Sequence, residues 1–247
     1  MIHFKLVEIG SFKKVLSSAS TLFKEARIYF KPELFCFSAL DDSISALVYC
    51  QLSSHFFDEY TCDEDKEICV FLPQIINILQ SAEKKDSLEL NLLNDKILEL
   101  QIENDYKRDF KLVTLNFDPD SKIPLPNIEK DLHLIINSNV FNNIINDISK
   151  ISEDFEIISQ KDEIIFSGSG VYGEVKISLK EKNPMIELLK IRSKIENKYD
   201  VLFLQKIVKE SWECSNLCEI ITQLESPIKI IFNIEDKGVL TFYLSSY

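Results

Sequence analysis

The chain has 247 residues, with 28 lysines and arginines against 40 aspartates and glutamates, for a formal net charge of −12. That length buries a large core as one domain or as two of about 120 residues. The charge excludes a protein that coats nucleic acid with its whole surface, though not one with a local basic patch.

The N-terminus, MIHFKLVEIG, lacks the apolar core and small-residue cleavage pattern of a signal peptide, so none is expected. Ile2 to Glu8 alternates as a strand. SFKKVLSSASTLFKEA, Ser11 to Ala26, then places Phe12, Val15, Leu16, Ala19, Leu22, Phe23 and Ala26 on one face of a 3.6-residue repeat. This predicts an amphipathic helix with Ser11 as its N-cap. Lys13, Lys14, Ser17, Ser20, Thr21 and Lys24 fill the opposite face, with Glu25 as the single acid. Short β-like runs follow at 27–31, 34–38, 44–52 and 68–71, rich in β-branched and aromatic residues. LPQIINILQSA, Leu72 to Ala82, reads as a second helix with Pro73 in its first turn. Strands are predicted at 87–93, 97–102 and 110–117.

From Asp118 to Asp131 three prolines and several charges mark an extended linker, because proline lacks the N–H a ladder needs. The order then restarts. A strand is predicted at 132–137, and a helix at 139–151 with Asn139 as N-cap and Phe141, Ile144, Ile145, Ile148 and Ile151 on its apolar face. Strands at 155–159, 163–167 and 171–179, a helix at 201–211, and closing strands at 228–234 and 239–244 complete the chain. Phe12 corresponds to Phe141, and Phe37-Ser38 to Phe166-Ser167, both 129 residues apart, while VFLPQIINIL at Val70 resembles VLFLQKIVKE at Val201 at a spacing of 131. The chain therefore reads as an internal duplication. It comprises an N-terminal α+β domain at 1–117, a linker at 118–131 and a C-terminal α+β domain at 132–247.

The four predicted helices hold six lysines (13, 14, 24, 150, 206 and 209) and three acids (Glu25, Asp147 and Glu210), a surplus of three positive charges. The rest of the chain then carries −15. Gln74, Asn77, Gln80, Asn142, Asn143, Asn146 and Gln205 fill the polar faces between. If the four helices share one side, that side tolerates duplex DNA through phosphate contacts and counterion release, without reading sequence.

At this point the sequence resembles a known family, the proliferating cell nuclear antigen sliding clamps of eukaryotes and archaea. The likeness lies in LVEIGSFKKVL near the start, FSALDDSISALVYCQLSSHFFDEYTCDED at Phe37 to Asp65, IIFSGSGVYGEVKISL at Ile164 and SPIKIIFNIEDKGVLTFYLSSY at the end. It implies an α+β fold of duplicated DNA-clamp domains, each with two helices packed on antiparallel sheets. Three chains would close head to tail into a pseudo-sixfold ring around duplex DNA. Such a ring is not an enzyme, is found in the nucleus, and holds no cofactor or metal. It tethers DNA polymerase, the clamp loader and other replication and repair clients through short peptide motifs.

Residue by residue, the resemblance puts Lys13 and Lys14 at DNA-facing positions and Lys150 where a basic residue or His is usual. Lys24, Lys206 and Lys209 join them as expected DNA-facing lysines. Ser20, Asn77, Gln80, Asn143, Asn146 and Glu210 stand where well-known members carry Lys or Arg, so the hole should be less positive than usual. The implied partner-peptide pocket is Leu40, Ile44, Ile123, Leu125, Pro126, Pro227 and Tyr243, an apolar slot beside the linker, with plain core packing as the alternative for Leu125 and Tyr243. Ile44 replaces a frequent His there, and Ser245-Ser246 a small-residue–Pro pair. The implied subunit interface is Phe110, Lys111 and Leu112 on one edge strand against Val175, Lys176 and Ile177 on another. Lys161 aligns with a lysine the family modifies with ubiquitin-like proteins.

Other chemistry finds little support. The six cysteines include no C-x-x-C pair and read as reduced, buried thiols of an intracellular protein. His3, His55 and His133 lack zinc-ligand spacing. GSGVYG at Gly168 lacks the lysine and strand-to-helix setting of a phosphate loop. No apolar run approaches the ~18 residues of a membrane span. Two alternatives remain: one subunit of a heterotrimeric or checkpoint-type clamp, and a metal-dependent nuclease built on Asp41-Asp42 or Asp63-Glu64-Asp65.

Overall fold

A computed structural model describes residues 1–20, 22–94, 96–120 and 123–247. The chain divides into two compact units. The first comprises residues 1–42, 48–123 and 234–240, and the second residues 43–47, 124–233 and 241–247.

The first half runs β1 (Ile2–Leu6), α1 (Gly10–Ser20), β2 (Glu25–Lys31), β3 (Leu34–Leu40), β4 (Ala46–Ser53), β5 (Glu59–Cys62), β6 (Lys66–Phe71), α2 (Leu72–Gln80), β7 (Ser87–Leu93), β8 (Ile97–Glu103) and β9 (Lys107–Val113). The second repeats it as β10 (Leu132–Asn137), α3 (Ser138–Ser149), β11 (Asp154–Gln160), β12 (Glu163–Gly170), β13 (Gly173–Lys180), β14 (Ile186–Ile191), β15 (Glu196–Asp200), α4 (Val201–Ser211), β16 (Leu217–Thr222), β17 (Ile228–Ile234) and β18 (Gly238–Leu244).

The strand orders repeat as well. In the first unit the strands lie as β5-β1-β7-β8-β9 and β4-β3-β2-β6. In the second they lie as β14-β10-β16-β17-β18 and β13-β12-β11-β15, the same orders with each strand replaced by its counterpart. The α+β duplication is thus an observed property of the fold, down to sheet topology.

Each core is laid against the apolar faces of its two helices. In the first unit Phe12 of α1 meets Phe4 and Phe35 edge-on, with ring centroids 5.5 and 5.8 Å away. In the second, Phe141 of α3 meets Phe155 and Phe166 at 6.1 and 6.0 Å. Such ring pairs each add about 0.5–1.5 kcal/mol beyond their buried area.

Several predicted boundaries are corrected. The first helix stops at Ser20 rather than Ala26. Phe23 N–H closes a last turn onto Ala19 O at 3.2 Å, and the chain then extends into β2. Phe23 and Ala26 fit the helical repeat because both are buried, but Ala26 is buried through its strand register opposite Val70. Ser11 lies inside the first turn, where Lys13 N–H already bonds Ile9 O at 2.9 Å, so it is not the N-cap. Thr21 lies outside the described residues. In α3 the cap is Asn137, whose side chain accepts from Val140 N–H at 3.1 Å, and Asn139 is helical.

The helices α2 and α4 begin at Leu72 and Val201, 129 residues apart, so the spacing of 131 read from VFLPQIINIL aligned a strand end with a helix start. The strands β5, β14, β15 and β16 were not anticipated. β15, ENKYD, carries charge on its exposed face, which hides the alternation of buried Asn197 and Tyr199.

Candidate functional site

The helix pairs are the first candidate surface. α1 packs beside α2 in the first unit, and α3 beside α4 in the second. Within their observed bounds α1 holds Lys13 and Lys14 with no acid, and α2 holds no charged residue. α3 holds only Asp147, and α4 holds Lys206, Lys209 and Glu210. The first helix layer is therefore positive, whereas the second is balanced until Lys150, which follows α3 and pairs with Asp147 at 2.8 Å.

The lysines differ in what they already hold. Lys13 Nζ donates to Gln80 O at 3.2 Å and Ala82 O at 2.7 Å, the carbonyls that end α2. A cation there satisfies acceptors the helix leaves open and opposes the negative end of its dipole. Lys206 lies over the Phe203 ring at 5.9 Å. Lys206 and Lys209 are exposed, and Lys14 is half-buried. Lys24 is not on the helix; it precedes β2 and forms an ion pair with Asp42. Asn77 and Asn143 are exposed, whereas Asn146 accepts from Gln205 Nε2 at 3.0 Å across α3 and α4.

Among the strands that end sheets are β9 and β13, with β5, β6, β14 and β15 at the other ends. β9, with Phe110, Lys111 and Leu112, pairs only with β8, and β13, with Val175, Lys176 and Ile177, pairs only with β12. Along each, side chains alternate between exposed and half-buried. Such edges carry free N–H and C=O groups that template another strand. β9 is fixed from behind by Arg108, whose Nη2 meets the buried Asp86 carboxylate at 2.5 Å and whose Nη1 donates to Ser81 O at 3.1 Å. The turn end of the β12–β13 hairpin sits tight: a Cβ at Gly170 would lie 2.0 Å from Ile151 O, which only glycine avoids.

The expected pocket residues fall in both units, Leu40 and Ile123 in the first and Ile44, Leu125, Pro126, Pro227 and Tyr243 in the second. Ile44 is 72% exposed at a positive φ of 59°, and Leu125 is 44% exposed. Tyr243 is buried, with the Lys229 ammonium 5.6 Å above its ring, and burial raises its phenol. Leu40, Ile123, Pro126 and Pro227 are half-buried. Lys161 stands exposed in the β11–β12 turn at φ 39°.

The linker is held at both ends by residues that periodicity did not single out. At its start the Arg27 guanidinium lies 5.1 Å from the Phe117 ring centroid and donates to Asp118 O at 3.1 Å and Glu67 Oε1 at 3.2 Å. At its end Glu129 N–H donates to Gln223 Oε1 at 2.9 Å, Lys130 pairs with Glu219 at 3.1 Å, and Arg192 N–H donates to Asp131 O at 2.7 Å. These partners lie 40 to 94 residues apart, so no local spacing reveals them. Among the described residues no group of three or more His, Cys, Asp and Glu could hold a metal, and no helix is long and apolar enough to cross a membrane.

Comparison with known proteins matches residues 1–121 to the family model described as proliferating cell nuclear antigen, N-terminal domain, and residues 124–247 to that of the C-terminal domain. Similar relatives are called DNA polymerase sliding clamp. That of Nitrosopumilus maritimus is 27% identical over 233 residues, covering 94% of this chain and 93% of its own. That of Cenarchaeum symbiosum is 25% identical with the same coverage. The DNA polymerase sliding clamp 1 of Thermococcus kodakarensis is 26% identical over 246 residues, 98% of this chain and 97% of its own.

Proposed function

The chain belongs to the proliferating cell nuclear antigen family of sliding clamps, and from this we propose that three copies close head to tail into a ring around duplex DNA. The ring keeps a DNA polymerase on its template and docks other replication and repair proteins and the clamp loader through short peptides. Members of this family are non-catalytic scaffolds, and the same reading is proposed here: the chain cleaves nothing and needs no metal or cofactor. Its place is with the DNA, which is the nucleus in a cell that has one.

The observation that carries this reading is the pair of family matches over both halves, together with a duplicated fold in which β9 and β13 each lie at a sheet edge. A strand edge on each unit suits a head-to-tail contact that repeats until it closes. Lys14, Lys206 and Lys209 supply phosphate contacts, weak in one copy and summed in the ring. Retention then comes from topology more than affinity, which agrees with so few lysines. Leu125 and Ile44, both exposed in the second unit, offer an apolar anchor for an aromatic-tipped client peptide.

Light scattering of the pure protein tests the ring directly, with about three times 28.6 kDa expected. A monomer that closes a ring only with two different relatives would replace the homotrimer by the heterotrimeric reading. Lys14→Glu with Lys206→Glu and Lys209→Glu should reduce clamp-dependent primer extension while leaving the mass unchanged. Full stimulation by that triple variant would remove those lysines from the DNA-facing role. DNA cleavage lost on Asp41→Asn, with stoichiometric metal bound, would overturn the non-enzymatic reading.

A further inference from the structure

Arg27 sits on β2, far in sequence from the linker, with only 11% of its side chain exposed. Three groups converge on it: the Phe117 ring, the Asp118 carbonyl and the Glu67 carboxylate. Glu67 stands on β6 opposite Tyr29, two residue pairs from Arg27 opposite Cys69, so the neighbouring strand supplies the counter-ion. The chain is led to this point by Leu115, whose N–H bonds Cys69 O at 2.7 Å. Just beyond, Asp120 N–H bonds Asp118 Oδ1 at 3.0 Å and turns the chain. Planar guanidinium suits this task, since one face stacks on a ring while its N–H fork donates in two directions.

We infer that Arg27 is a positioning residue for client binding: it fixes where the linker leaves the first unit and so pre-orders the linker wall against which a client peptide docks. This role rests on the client-peptide reading above. Arg27 holds the chain at Phe117 and Asp118, beyond the bond at Leu115, and its loss loosens these residues. Every residue so released must be ordered again when a peptide binds, and that ordering subtracts from affinity.

The test uses the full-length protein and a fluorescein-labelled synthetic dodecapeptide with a leucine followed three residues later by two phenylalanines. Arg27→Met with Glu67→Gln removes the clamp without leaving an orphaned carboxylate, and Phe117→Leu removes the ring while keeping Arg27. Both should weaken peptide binding about five-fold and speed amide hydrogen exchange at 117–120, with the mass unchanged. Arg27→Lys, which keeps the charge but not the fork, should fall between. Unchanged affinity despite faster exchange would overturn the positioning role while leaving the client pocket standing. Unchanged exchange would overturn the clamp itself. If the wild-type protein binds no peptide, the client reading fails and this role fails with it, whereas the exchange measurement still reports whether Arg27 holds the linker.

Discussion

Lys13 illustrates how a residue chosen for charge turns out to be bound already. Its ammonium donates to two carbonyls at the end of α2, so Lys13→Ala should lower unfolding free energy by about 1–2 kcal/mol in urea titrations. Loss of DNA stimulation in that variant is interpretable only beside its stability. His133 gives a pH prediction. Burial lowers its pKa first and Lys130 adds to this, outweighing the nearby Glu219 carboxylate. Its folded form thus binds fewer protons than the unfolded chain below the ordinary value of about 6.5. Its contribution is complete above that pH and is lost as pH falls through the ordinary value toward the lower folded one. The melting temperature should therefore drop on acidification from pH 7 to 5.5, and His133→Gln should flatten that drop. The contacts of Lys13, His133 and Arg27 were beyond the reach of sequence, because their main partners come from segments 40 to 91 residues away.

At the scale of elements, periodicity located all four helices, and it identified most strands by their alternation. It failed where two patterns overlap. Phe23 and Ala26 extended the helical repeat because a closing turn and a strand also bury them. It failed again in strands such as β5 and β15, whose outward residues are polar and whose length is four or five residues. The equivalence of Phe12 with Phe141 was legible because aromatic anchors persist where surface residues drift. The sequence offers no reason for Gly170; that reason is the Ile151 O that an added Cβ would meet at 2.0 Å. Gly170→Ala should cost about 1–3 kcal/mol through forced backbone shifts and displace β13, so light scattering should show the proposed ring dissociating at higher protein concentration than wild type. Ile177→Arg on the same strand should give monomers with unaltered circular dichroism.

For the molecule as a whole, net charge was the most economical guide, since a chain at −12 that keeps two lysines and no acid on α1 and α2 has segregated its charge. The partner-peptide residues were legible only through family likeness, because their apolar side chains look like any core until exposure is known. Ile44 and Leu125 stand out in solvent, whereas Tyr243 is packed away. The two helix layers also differ: α1 and α2 carry a surplus of two positive charges, while α3 and α4 carry two lysines against two acids. Geometrically sixfold, a trimeric collar would be electrostatically threefold. A helical polyanion threading it would feel three attractive sectors separated by three indifferent ones, and so would lean toward one sector at a time and pass between them as it turns.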